Sequence, residues 1–519
     1  MTSEIRNIVI VGGGTAGWLT AGVLGSHFNL AADYSVRLIE SPNIKTIGVG
    51  EGTWPSMAAT LRRIGIPESQ FIAECDASFK QGSKFIGWQK GGEDHYYHPF
   101  SLPTGYSDLN LPDHWLANDS AQAFDIFATP QVNVCNEHLA PKQANTPDYA
   151  SVLNYGYHLD AGKFADLLMR HSVNQLGVEH IRDDVLDVVL DERGDIAHLK
   201  TENNGDLKAD LFIDCTGFKS LLIGQTLGVP FRSVKDILFN DHALALQLPH
   251  AEEDSPIASS THATAHSIGW IWDIALPTRR GVGLVYSSEY GDHETALSNF
   301  RTYLKKAMPH IDTEAIDPRV IPLNPGHRER FWQGNCVSIG LSGGFIDPLE
   351  ATAMVLIELG ARFLTEHLPA SKQQLPLLAR QFNQRFSYHW SNIIDFIKLH
   401  YVLSERDDSD YWRAHRDPVT SPERLVQQLE AWRERAPWHA DVDLAEQMFP
   451  PASYQYVLYG MGFQSKSGLM HRRTAEQERQ HLMQLQQQRI QQQQQLMQHL
   501  PTNRALLNTL RERWQKQAA

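Results

Sequence analysis

The stretch Asn7-Ile8-Val9-Ile10-Val11-Gly12-Gly13-Gly14-Thr15-Ala16-Gly17-Trp18-Leu19 constrains this chain more than any other. A β-branched apolar run breaks on three glycines and continues into helix-favouring residues, which reads as strand, tight turn and helix. Gly12, Gly14 and Gly17 keep the spacing G-x-G-x-x-G. The first lets the chain turn, the second lets backbone approach a pyrophosphate, and the third lets the helix lie close on the strand. The helix start at Thr15 and Ala16 then offers free amides to phosphate oxygens. Val36-Arg37-Leu38-Ile39-Glu40 reads as the next strand, and Glu40 lies 23 residues past Gly17, where such folds hold a ribose hydroxyl. A nucleotide site follows; the chemistry does not.

The bulk of the chain narrows the options. With 519 residues a two- or three-part architecture is expected. A formal charge of −14 argues against nucleic acid or an anionic membrane surface as partner. The sequence shows neither a signal peptide nor an apolar run long enough for a membrane span. Cys75, Cys135, Cys215 and Cys336 are far apart and form no C-x-x-C pair, so a reducing, cytoplasmic setting is expected, without a metal site.

Gly50 and Glu51 belong to a glycine-rich stretch at 46–55, read as a loop returning over the nucleotide. Residues 57–80 read as helical, 91–150 as an irregular insertion suited to substrate contact, and Tyr157 to about Val173 as a helix. Ile181–Leu190 and Ile196–Glu202 alternate like a hairpin. Ala209-Asp210-Leu211-Phe212-Ile213-Asp214-Cys215-Thr216-Gly217 is a strand ending in Asp-Cys-Thr-Gly, and Gly334 to Gly340 is another delivering a glycine. Strands near 7, 36, 181, 211 and 336 are expected to share one sheet, with 243–248 and 269–288 in a second, antiparallel one. Beyond 354 the pattern is helical, including a glutamine-rich segment at 473–499 that reads as a solvated helix.

Four features together resemble the flavin-dependent halogenases of the tryptophan-halogenase type. These are the glycine motif, Gly269-Trp270-Ile271-Trp272-Asp273-Ile274 (similar to W-x-W-x-I-P), Pro348-Leu349-Glu350-Ala351-Thr352 (similar to P-L-E-[SA]-T), and Lys80 after Cys75 in a C-x-x-x-x-K context. The resemblance implies an α/β, FAD-binding, two-dinucleotide-domain fold of the flavin monooxygenase type. It places an FAD box with an inserted antiparallel substrate sheet (about 91–150 and 225–332) at 1–350, and a mainly helical capping region at 351–519. Cofactor contacts are then expected from Gly12, Gly14, Thr15, Ala16, Gly17, Glu40, Gly50, Glu51, Val185, Asp214, Gly217, Gly340, Leu341 and Met354.

On spacing alone, Trp270 and Trp272 point to one face of a strand and either fill a core or wall a cavity. Lys80 alone reads as a surface lysine, and Lys84, one helical turn on, competes with it. Glu350 beside an apolar helix needs a partner or a job. The resemblance assigns Lys80 to holding an electrophilic halogen and Glu350 to the ring intermediate. It places chloride or bromide on the amides of Thr352 and Ala353, where the family has glycine at the second position. Reduced FAD from a separate flavin reductase would give a flavin C4a-hydroperoxide, hence hypohalous acid that reaches Lys80. Ala275 replaces the family's proline after Ile274.

For substrate, His98 and Phe100 are expected to sandwich an aromatic ring, alongside Trp270, Trp272, Tyr454 and Tyr456. The tryptophan-specific pattern has an acid near these tyrosines, yet no Asp or Glu occurs between Glu446 and Glu476. Indole or a related small arene is therefore expected rather than free tryptophan, whose ammonium would lack a counter-charge. The alternative activity is aromatic hydroxylation by a flavin monooxygenase.

Overall fold

The computed structural model describes residues 4–30, 34–44, 50–117, 122–368, 371–441 and 448–518. Of the loop expected at 46–55, residues 46–49 lie outside them and Gly50–Gly52 is a short strand instead. The first strand, Asn7–Val11, is the centre of a six-stranded sheet ordered Trp332–Gln333, Cys336–Ser338, Leu211–Asp214, Asn7–Val11, Ser35–Glu40, Glu179–Arg182. It pairs in parallel on both sides, and Ile8, Val9 and Ile10 are fully buried: Ile8 and Ile10 pack with the helical side, Val9 with Ile196 and Leu199 on the other face. The five strands expected to share a sheet do so. The helix Thr15–His27 follows Gly14 directly, so the glycine turn stands at the carboxyl edge of the sheet, where open α/β folds bind ligands.

The second sheet has seven strands: Arg319–Pro322, His242–Pro249, Arg279–Tyr286, Gly269–Ala275, Thr261–His266, Gly82–Ile86 and His95–Pro99. It is antiparallel except where Thr261–His266 meets Gly82–Ile86. Gly283 lies opposite Trp272 in the register, and a Cβ there would occupy the space of the indole ring. That glycine is what lets Trp272 lie down on the sheet.

Three local expectations need correction. Residues 57–80 are not one helix: Ser56–Ile64 ends at Gly65, which is left-handed at φ 90°, and Pro67 starts a second helix, Glu68–Glu74. Lys80 therefore sits on a strand, Ser78–Lys80, and Lys84 on the strand Gly82–Ile86, not a helical turn away. Residues 156–160 form a strand that pairs with both Gly50–Gly52 and Ser78–Lys80. The helix Ala161–Leu176 begins only after Asp160, whose carboxylate caps the Lys163 amide at 3.0 Å. The region 91–150 is less irregular than expected, holding the strand His95–Pro99 and short helices at Leu111–Ala117, Phe124–Ala128 and Gln131–Asn136.

Beyond Thr352 the described chain is helical. The glutamine-rich helix Ala475–His499 buries Leu482 and Leu496 while most of its glutamines face solvent. It returns the chain to the helix Asn503–Ala518, where the buried Asn503 side-chain amide donates to the Phe79 carbonyl at 3.1 Å, next to Lys80. No helix among the described residues is long and apolar enough to cross a membrane.

Candidate active site

One cavity of about 650 Å³ connects the glycine turn with Lys80, Glu350 and the start of the helix Thr352–His367. Its volume suits a cofactor-sized ligand. Gly12, Gly14, Thr15, Ala16, Glu40, Gly50, Glu51, Val185, Gly217, Gly340, Leu341 and Met354 all line it. Gly12 takes φ 114°, and a Cβ there would run into the Cys215 carbonyl. Glu40 lies under the loop and accepts from His180 Nε2 at 2.7 Å. Burial raises the Glu51 carboxyl to about 7.

Two expected cofactor residues act from behind the wall. A Cβ on Gly17 would strike the Gly12 carbonyl oxygen, so this glycine sets the helix against the turn. Gly17→Ala is expected to weaken FAD binding about ten- to hundredfold, read by flavin fluorescence titration; an unchanged affinity would separate the turn from flavin binding. Asp214 does not line the cavity. Its buried carboxylate accepts from the amides of Thr216, Leu222 and Ile223 at 2.9–3.0 Å and from the Thr216 hydroxyl at 2.6 Å. It folds the segment containing Gly217, which lines the cavity.

Lys80 is 1% exposed, its Nζ is 5.4 Å from the centre of the Phe100 ring, and burial lowers its pKa to about 8 against the opposing pull of Glu350. At neutral pH it is mostly an ammonium. Glu350 is 6% exposed. Burial pushes its carboxyl upward, but His98, His400 and Lys80 together outweigh that and hold it below the ordinary value. Its Oε1 accepts from His98 Nδ1 at 2.8 Å and His400 Nε2 at 3.1 Å. Burial drives His400 down to about 3, so it is neutral, and its Nδ1 has no partner. The tautomer that satisfies the contact carries the proton on Nε2. The result is a fixed carboxylate near a fixed ammonium, both buried at the cavity wall.

The backbone at this point is unusual. Glu350 and Ala351 are both left-handed, at φ 67° and 54°, although neither is glycine. Such conformations cost about 1–3 kcal/mol each and persist only where surroundings impose them. Trp54 Nε1 donates to the Glu350 carbonyl at 2.7 Å, and the Ala351 amide to the Pro348 carbonyl at 3.1 Å. The turn delivers Thr352 and Ala353 to the cavity wall as the first residues of their helix, whose amides have no acceptor within the helix.

Trp270 and Trp272 both line the cavity, with ring centres 6.3 Å apart. Trp270 Nε1 donates to Asp347 Oδ1 at 2.9 Å. Asp347, 2% exposed, also accepts from the Leu349 amide at 3.2 Å, Asn240 Nδ2 at 2.7 Å and the Tyr401 hydroxyl at 2.5 Å. One carboxylate thus ties the tryptophan wall to the turn bearing Glu350.

Of the remaining expected substrate residues, His98 and Phe100 stand beside Glu350 and Lys80. Glu350 Oε1 and Ser453 Oγ, the latter at 2.9 Å, engage the two ring nitrogens of His98 in the ring plane and fix its orientation. Neither His98 nor Phe100 lines the cavity. In the helix Pro451–Gly460, Tyr454 packs edge-on against Phe396, and the Tyr456 hydroxyl donates to the Ser101 carbonyl at 3.0 Å. Tyr454 also borders a small second cavity with Arg424 and Asp441. His400, Asp347 and Ser453 were missed from sequence, since only the folded chain brings them to Glu350 and its neighbours.

The family described as tryptophan halogenase matches residues 7–476. The tryptophan 6-halogenase SttH of Streptomyces toxytricini is 35% identical over 482 residues, covering 89% of this chain and 90% of the relative. The crystal structure of a tryptophan halogenase from Shewanella frigidimarina is 46% identical, with a TM-score of 0.94 over 98% of both chains. Xcc4156, a flavin-dependent halogenase from Xanthomonas campestris, is 32% identical, with a TM-score of 0.85 over 97% of this chain and 98% of its own. This chain belongs to the tryptophan halogenase family and is a flavin-dependent halogenase, an enzyme of the oxidoreductase kind.

Proposed function

We propose that this enzyme chlorinates or brominates a small electron-rich arene of the indole type, using Lys80 and Glu350. The observation that carries the reading is the buried ammonium–carboxylate couple sharing one cavity with the glycine turn. Reduced FAD, supplied by a separate reductase, provides with dioxygen the oxidising equivalent that turns halide into hypohalous acid. The amides of Thr352 and Ala353 hold the halide. Lys80 donates a hydrogen bond to the hypohalous oxygen. As the ring carbon bonds the halogen, the halogen–oxygen bond breaks and the departing hydroxide takes the Lys80 proton to leave as water. Glu350 faces the cationic ring, takes the proton from the substituted carbon, and returns the electron pair to the ring. Trp270 and Trp272, braced by Asp347, keep the arene away from the flavin.

The substrate class rests on the helix Pro451–Gly460, which carries no acidic residue. A zwitterion buried against this helix would find no acidic side chain on it to pair its ammonium. With equal reduced-flavin supply, indole is expected to be halogenated at least about tenfold faster than L-tryptophan. A second reading, free tryptophan as substrate, is favoured by the names of the relatives above; faster turnover of L-tryptophan would establish it.

A further inference from the structure

The strand that carries Lys80 lies at the edge of a small sheet ordered Gly50–Gly52, Gly156–Asp160, Ser78–Lys80. An edge strand leaves its outer carbonyls without a ladder partner, and a buried one needs a donor from elsewhere. Here the donor is Asn503, the fully buried first residue of the helix Asn503–Ala518. Its Nδ2 donates to the Phe79 carbonyl at 3.1 Å and to the Ala258 carbonyl at 3.4 Å. The first carbonyl belongs to the peptide group that bears the Lys80 nitrogen. The second lies just before the strand Thr261–His266, in the seven-stranded sheet that also carries Trp270 and Trp272. One side-chain amide thus fastens the backbone at Lys80 to the sheet of the tryptophan wall. Asn503 Oδ1 has no partner, so its N–H groups are the part of the side chain in use.

The helix itself is docked by other contacts. Leu506, Leu507 and Leu510 are buried in the main core. Arg504 donates from Nε to the Ser255 carbonyl at 2.9 Å and from Nη1 to the Pro277 carbonyl at 2.6 Å. The Asn503 backbone amide donates to the His138 carbonyl at 2.8 Å. Docking therefore does not depend on the Asn503 side chain. The family match ends at residue 476, so this helix lies beyond it. We propose that Asn503 is a positioning residue for Lys80, and that through it the C-terminal helix is part of the halogenating site. The inference rests on the role of Lys80 proposed above.

The test compares wild type, Asn503→Ala and Leu510→Ala, each as the full chain loaded with FAD. Leu510 lies about two turns further along the helix and serves as a packing control. Asn503→Ala is expected to lower kcat for indole bromination about tenfold to a hundredfold, the cost of misplacing a reacting group by about 1 Å. KM for indole should not change. Water that replaces the missing donor solvates Lys80, so its pKa is expected to rise from about 8 toward the ordinary value. Glu350 and His158, the titratable groups around Lys80, are the same in all three proteins. That rise is read without turnover, by NMR titration of isotope-labelled lysine, the Lys80 signal being the one lost in Lys80→Met. Leu510→Ala is expected to lower the thermal midpoint and to leave kcat and the Lys80 titration as in wild type. Asn503→Ser keeps one donor, should fall between wild type and Asn503→Ala in both readouts, and replaces Asn503→Ala if that variant does not fold. A variant at 503 that loses stability alone, or Leu510→Ala that moves Lys80 equally far, makes Asn503 ordinary packing and overturns the proposal. Wild type that halogenates nothing would instead strike the role given to Lys80, and the titration would still decide for or against Asn503.

Discussion

Lys80→Met is expected to lower halogenation at least about a thousandfold, as loss of a group that touches the transferred atom does, while FAD binding is retained and the protein becomes more stable. The two readouts have one cause. Folding buries an ammonium whose ordinary pKa is 10.5 and lowers it to about 8. Between those values the unfolded chain binds more protons, so stability rises with pH across that window, and below about 8 the full penalty is present. Methionine fills similar volume without a charge. At neutral pH the variant should gain about 1–3 kcal/mol from the lost burial penalty of Lys80, less what Glu350 loses with its neighbouring ammonium. A residue conserved for packing alone would behave the other way. In the unsubstituted enzyme, turnover is expected to fall as pH rises through about 8, where Lys80 loses the proton it donates. Rates across pH on a saturating arene, and thermal midpoints of both proteins, check these expectations; a Lys80→Met protein that halogenates normally removes Lys80 from the reaction.

Glu350→Gln is expected to slow turnover about a hundred- to thousandfold with little change in KM for the arene. Glutamine keeps the shape and can still accept from His98 and His400, which donate to Glu350 at 2.8 and 3.1 Å. It cannot take the ring proton. Deprotonation then becomes the slow step, and arene deuterated at the reacting carbon should show an isotope effect in the variant larger than in wild type. Removing the carboxylate also removes the charge that holds Lys80 protonated, so the fall in rate with pH should move below 8. Loss of activity without either change would make Glu350 a structural support for its strained turn.

Much of this was legible in the sequence for a physical reason: the informative contacts are short-range. The glycine turn, the alternation of Trp270 and Trp272, and the helix after Glu350 each express backbone geometry that neighbouring residues impose. Lys80 was found through its motif but was placed on a helix, because an amphipathic pattern runs on through Gly65 and Pro67, where the chain breaks. His98 was expected as a flat surface for an arene. Its in-plane hydrogen-bond partner, Glu350, is 252 positions away, and no local pattern encodes that pairing. Asp347 and His400 are ordinary residues in sequence and acquire meaning only from four donors and one carboxylate gathered by the fold. Asp214 shows the opposite case: its motif is legible in the sequence, but that its carboxylate folds its own loop behind the cavity is seen only in the fold.

The most direct measurement supplies the enzyme with reduced FAD, oxygen and indole, with and without bromide, and identifies the product by its mass and bromine isotope pattern. Monobrominated indole that forms only with bromide is the expected result. A hydroxylated arene formed equally well without halide would contradict it.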